Sequence, residues 1–156
     1  MAATFFGVVV SLAIPALAMA ADKAPSWPKG IYSSVSTHPE TGDMLGMEVR
    51  FFKRDGEPVV EAVICEGWCN ASSIVPVQRT ERGFSFRVTE RFQSGDGPHS
   101  LVTYVELIPQ GRGLWAWTAL RQGKQSAEWN DAIWLRHVDE PYGLSIVHSQ
   151  DAPSQP

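Results

Sequence analysis

The chain has 156 residues, 44% of them hydrophobic and 19% charged, with a formal net charge of −4 at pH 7. That is the length of one domain with enough apolar residues for a core. Thirteen basic and seventeen acidic side chains, with no long basic run, disfavour nucleic acid as a partner, because phosphate-backbone binding depends on clustered Lys and Arg.

Residues 1–20, MAATFFGVVVSLAIPALAMA, carry no charged side chain and end in Ala18-Met19-Ala20, the small-x-small pattern of a signal peptide cut before Ala21. The apolar run from Phe5 to Leu17 is short for a bilayer span, which takes about 20 residues, and Pro15 interrupts it. The expectation is an exported protein, periplasmic or secreted, with no membrane span after signal cleavage. Residues 21–28 read as a linker, 29–139 as the folded domain and 140–156, with Pro141, Pro153 and Pro156, as an irregular tail.

The domain opens with a β-branched run at 31–37, followed by a turn, HPETGD. Leu45, Met47, Val49 and Phe51 then alternate with Glu48 and Arg50, the period of two that marks a half-buried strand over 44–53. Asp55-Gly56 is a hairpin signal leading into 58–65. After CEGWCN come 73–79 and 84–92, where Phe84, Phe86 and Val88 alternate with polar residues, then 100–108, 114–121 and 127–138. No stretch of the mature chain carries a helical period. Eight strands on short connections favour antiparallel neighbours, and the expected fold is an all-β, antiparallel up-and-down barrel of about eight strands, with a two-sheet β-sandwich as the alternative. Closure removes edge strands, and eight is the size at which a barrel is filled by side chains or holds one small ligand.

Gly30-Ile31-Tyr32 at the start of the first strand and Trp134-Leu135-Arg136 in the last resemble the two ends of a calycin barrel, the lipocalin- and avidin-like group. Calycins open with Gly-x-Trp or a related aromatic and lay a basic side chain from the final strand across that ring. The resemblance implies a barrel with a binding role, in which Tyr32 and Arg136 close one end through a cation–ring contact of roughly 0.5–2 kcal/mol. Tyr stands here where the group usually has Trp.

Cys65 and Cys69 are the chain's two cysteines. A structural zinc site needs four Cys or His ligands, and a redox pair wants Cys-x2-Cys opening a helix. In an exported protein the default is a disulfide, with free thiols or a metal as the alternatives. Residues four apart in a strand are separated by roughly 13 Å, whereas bonded cysteines need Cα atoms about 4.4–6.8 Å apart. A Cys65–Cys69 bond therefore makes residues 66–68 a reversal, with Gly67 free to take positive φ. Trp68 at its tip is either a lid over the barrel mouth or an exposed anchor.

His38, Glu40 and Asp43 share one loop, but turn composition accounts for them and no metal is expected. Trp115 and Trp117 lie on the same face of a strand and are expected inside, as core or pocket lining, with an outer patch as the alternative. Together with Trp68 and Tyr104 they are the candidate ligand-binding residues. Glu106, Glu128 and Asp131 are scattered carboxylates, and the chain holds no nucleophile elbow, Gly-rich phosphate loop or His-Glu-x-x-His motif. No catalytic residue and no cofactor are expected. The expected function is a lipocalin-like barrel that takes a small apolar or amphipathic ligand in its mouth. The alternative is a protein-interaction or inhibitor protein that meets its protein partner through the 65–69 loop.

Overall fold

The computed structural model describes residues 26–95, 97–122, 128–130 and 132–150. The expected signal sequence and its cleavage site, residues 123–125 of the turn expected at 122–125, the start of the run expected at 127–138 and the last six residues lie outside these. In chain order the strands are β1 (Gly30–Ser33), β2 (Ser36–Thr37), β3 (Met44–Arg54), β4 (Glu57–Gly67), β5 (Ser73–Pro76), β6 (Gln78–Arg79), β7 (Phe84–Ser94), β8 (Gly97–Gln110), β9 (Gly113–Gln122), β10 (Glu128–Trp129) and β11 (Ile133–Val138). A helix, α1 (Gly143–Gln150), follows.

All the strand pairings are antiparallel and belong to one sheet of order β5-β4-β3-β1-β11-β9-β8-β7-β6, with β2 beside β3 and β10 beside β9. Its two ends, β5 and β6, are neighbours in the chain with Val77 between them. The expected strand 73–79 thus pairs with β4 through its first half and with β7 through its second. The result is a nearly closed antiparallel barrel, as expected, and not the two-sheet sandwich; it counts nine strands in place of about eight because 73–79 is divided into β5 and β6. Asp55 and Gly56 both take positive φ, 53° and 85°, in the two-residue turn that the Asp-Gly pair predicted.

Inward residues alternate along each strand as the sequence requires. Met47, Val49 and Phe51 of β3 meet Phe84 and Phe86 of β7 and Leu107 of β8, none more than 6% exposed. Each such side chain is worth about 1.5–3 kcal/mol relative to exposure. Trp27 sets its ring edge-on to Phe51 and Phe84, with centroids 5.6 and 5.0 Å away. Residues that read as linker therefore contribute a plug to the core.

The tail also departs from expectation, because α1 is helical and packs on the outside of the barrel. Leu144 and Val147 bury against Val35, Met44, Val63 and the two cysteines, forming a second, outer core. An eight-residue helix is marginal alone, and its first N–H groups need partners. Glu48, on the outer face of β3 and 0% exposed, supplies them. Its carboxylate accepts from the amides of Tyr142 (3.1 Å), Gly143 (3.3 Å) and Leu144 (3.0 Å), which places negative charge at the helix N-terminus. Replacing it by Glu48→Ala leaves these amides without their acceptor. We expect a loss of about 3 kcal/mol in urea unfolding together with a weaker helical circular-dichroism signal. A loss under about 0.5 kcal/mol would mean that the cap does not hold the helix.

Candidate functional site

At the cysteine end, β4 continues past Cys65, and its pairing with β3 runs on to Met44↔Gly67. Glu66 and Gly67 are therefore still strand, not turn as expected, and the reversal is made at Trp68. Gly67 takes φ +85°, and the Glu66 amide donates to the Trp68 carbonyl at 2.9 Å. The Cys65–Cys69 disulfide is formed, with Cα atoms 4.0 Å apart, and both residues are buried. Trp68 is 63% exposed. The small cavity inside the barrel mouth, about 200 Å3, is lined by Met47, Ile64, Thr103, Thr118 and Ile133 among others, but not by Trp68. Trp68 is therefore not a lid. Below this cavity the barrel is filled by the core.

The end-closing contact differs from expectation by one residue. Arg136 pairs with Ser33, so it lies on the opposite face from Tyr32 and is exposed. His137 is opposite Tyr32 and meets its ring edge-on, with centroids 5.2 Å apart. Burial raises the Tyr32 phenol above its ordinary pKa, with a hydrogen bond to the Lys29 backbone opposing the shift.

Trp115 and Trp117 are not core. Leu114 and Ala116 take the inner positions of β9, at 1% and 0% exposure, which turns both tryptophans outward. Trp134 of β11 stands opposite Trp115 with ring centroids 5.1 Å apart, and Trp129 of β10 stands opposite Ala119. The Trp134 ring fills the space over Gly113, where an added Cβ would lie 2.3 Å from it, so this position excludes any larger residue. The Trp115 indole N–H donates to Gln110. Tyr104 borders the same face, under the Arg121 guanidinium at 5.4 Å. The structure therefore brings Trp115, Trp117 and Tyr104 together on one outer wall, with Trp129 and Trp134, and leaves Trp68 at the disulfide loop.

Two further features carried no signal in the sequence. One is a cleft of about 800 Å3 along the seam between β5 and β7, bordered by Ile74, Phe86, Arg87, Tyr104 and Trp129. The other is Glu61, 2% exposed on the outer face of β4. Its carboxylate is paired with Arg50 and accepts from Ser72 Oγ (3.1 Å) and His148 Nε2 (2.6 Å), tying the end of α1 to the barrel. Burial pushes this carboxyl up. The His148 hydrogen bond, the Arg50 charge and the Ser72 contact outweigh burial and hold it below its ordinary value of 4.5. In the 38–43 loop, His38 Nδ1 accepts from the amides of Glu40 and Thr41, both at 3.4 Å, as part of the turn. Among the described residues no three His, Cys, Asp or Glu side chains form a metal site, and no helix is long and apolar enough to cross a membrane.

What these features define is a nearly closed antiparallel barrel with a packed interior and an aromatic outer wall. Compared with known proteins, the chain matches no family model, no curated protein and no solved structure.

Because the folded pKa of Glu61 lies below the unfolded one, the stability it contributes is complete above pH 4.5 and lost as pH falls through the folded value. The stability gap between the native chain and Glu61→Gln, measured by urea unfolding from neutral to acid pH, should be widest near neutrality and shrink below that point. A gap that widens on acidification would contradict the assignment. Reducing the disulfide frees only a short loop and should cost about 2 kcal/mol by loop-closure entropy. Unfolding midpoints with and without reductant measure this.

Proposed function

We propose that this protein is an exported, calycin-like interaction barrel that binds a protein partner on its outer surface. The observation that carries this reading is where the tryptophans lie. Five of the six are exposed, at 37% to 63%, while the interior is filled by aliphatic and phenylalanine side chains. Trp is enriched at binding hot spots, and an apolar patch on a soluble barrel marks an interaction surface. A disulfide near one end is in keeping with an oxidising compartment. The mouth cavity of about 200 Å3 gives less support to a ligand held inside, since ligand sites run to about 300–1,000 Å3. One observation favours the small-ligand reading: the seam cleft of about 800 Å3 has a ligand's dimensions.

Native mass spectrometry of the chain purified from its own host compartment separates the two. The expected result is a complex with a second protein. It should fall at least about tenfold in the Trp115→Ala/Trp134→Ala variant, while the thermal midpoint stays within a few degrees. A retained small molecule, unaffected by these substitutions, would overturn the proposal in favour of the ligand reading.

A further inference from the structure

We propose that the seam between β5 and β7 is a docking slot for an extended peptide segment of the partner, one that alternates apolar with acidic residues and adds a strand to the barrel wall. This rests on the interaction reading but not on the tryptophan wall.

The argument starts from the ladder. β7 pairs with β8 along its whole length, from Phe84↔Leu107 to Ser94↔Gly97, but on its other edge, among the described residues, only Phe84 and Ser85 have partners, in β6. β5 pairs only with β4. Two strand edges therefore face each other across the seam without pairing. The Val77 amide donates to the Pro58 carbonyl at 3.3 Å, which directs the odd-numbered residues of 73–77 toward β4 and leaves the N–H and C=O of Ile74 facing the seam. The Thr80 amide donates to the Gly83 carbonyl at 2.9 Å, and the same alternation on the other side turns Arg87 and Thr89 toward the seam.

Open edges of this kind are normally blunted by lysine, proline or a covering element. Here Pro76 lacks an N–H where the edges converge, and the cleft opens beside it. It is bounded at both ends. Asn70 Nδ2 donates to Glu90 Oε1 across the top at 3.0 Å, and the Gln78↔Ser85 pair closes the bottom. At about 3.3 Å per residue, the open length suits a strand of roughly four residues.

Side chains specify the occupant. Val75, Phe86 and Val105, the last two core residues, line the cleft from the barrel side, so the inward positions of an added strand meet apolar surface. Ile74, Arg87, Tyr104 and Trp129 line the outer side. Among the described residues that line the cleft Arg87 is the one ionisable cation and none is a carboxylate, with Glu90 held by Asn70 at its upper end, so the outward positions of the strand beside Arg87 favour Asp or Glu. Main-chain pairing supplies affinity and the alternating side chains supply selectivity, as in other strand-addition complexes.

The test uses the folded, isotope-labelled chain and a synthetic peptide of roughly seven residues that alternates valine with glutamate. Backbone NMR should show shifts and about tenfold slower amide exchange at Ile74, Arg87 and Thr89. Thr89→Pro removes a seam-facing N–H without touching the β8 ladder and should weaken binding at least about tenfold. Arg87→Glu leaves the backbone intact and should reverse the preference toward the same peptide with lysine for glutamate. Absence of shifts at millimolar peptide, or equal binding by both variants, would overturn the slot. Shifts confined to the indoles of Trp115, Trp117 and Trp134 would also remove the slot while leaving the interaction reading in place. Seam binding without any protein partner from the host would reject that reading and keep the slot.

Discussion

The three pairs from Ile31↔Val138 to Ser33↔Arg136 bring the last strand of the meander back onto the first, and that contact makes a curled sheet into a barrel. Once β1 and β11 are joined, the sheet's remaining edges fall at a single place, the stretch 73–79. That stretch must serve β4 on one side and β7 on the other. It divides the task at Val77, giving four residues to β4 and two to β7. A strand that gave its full length to both neighbours would have closed the wall. This one leaves a seam, and the free backbone groups along it are a direct consequence of where the strand bends.

The interior is equally constrained. A barrel of this strand number encloses about the volume of its own inward side chains. Phe51, Phe84 and Phe86 with the aliphatic residues around them use that volume, and Trp27 takes the open end. Strand alternation then sends the other set outward. On β9 the inner positions hold Leu114 and Ala116, so Trp115 and Trp117 are displaced to the surface by the same packing that fills the core.

The strands, the Asp55-Gly56 hairpin and the disulfide were legible because each depends on residues within a few positions of one another. The side of the wall taken by the tryptophans was not. On 114–117 both alternating sets are apolar, and periodicity shows that they alternate without showing which one faces in. The end-closing pair failed for a related reason. A shift of one residue in register moves a side chain to the other face, and it gave the Tyr32 contact to His137 in place of Arg136. Helix α1 escaped notice because its stability is not local. GLSIVHSQ is two turns long with no strong amphipathic pattern, and the carboxylate that caps it lies 94 residues away from Tyr142 in β3.

Glu48 and Glu61 also explain how the outer surface is divided. Both project from the outer face of the β3–β4 pair, a position that in isolation reads as solvated. One holds the start of α1 through backbone amides, and the other holds its end through His148. With both ends fixed, the helix covers Val63 and Val35, which are left 1% and 7% exposed. The wall built by β8, β9 and β11 carries larger apolar side chains and no described element lies over it, so Trp115, Trp117 and Trp134 remain 37% to 40% exposed. The same chain thus buries a modest apolar patch with its own helix, while no described element covers the more hydrophobic wall. In a protein whose smaller patch is covered at the cost of two buried carboxylates, the exposed wall is the surface on which the proposed interaction reading rests.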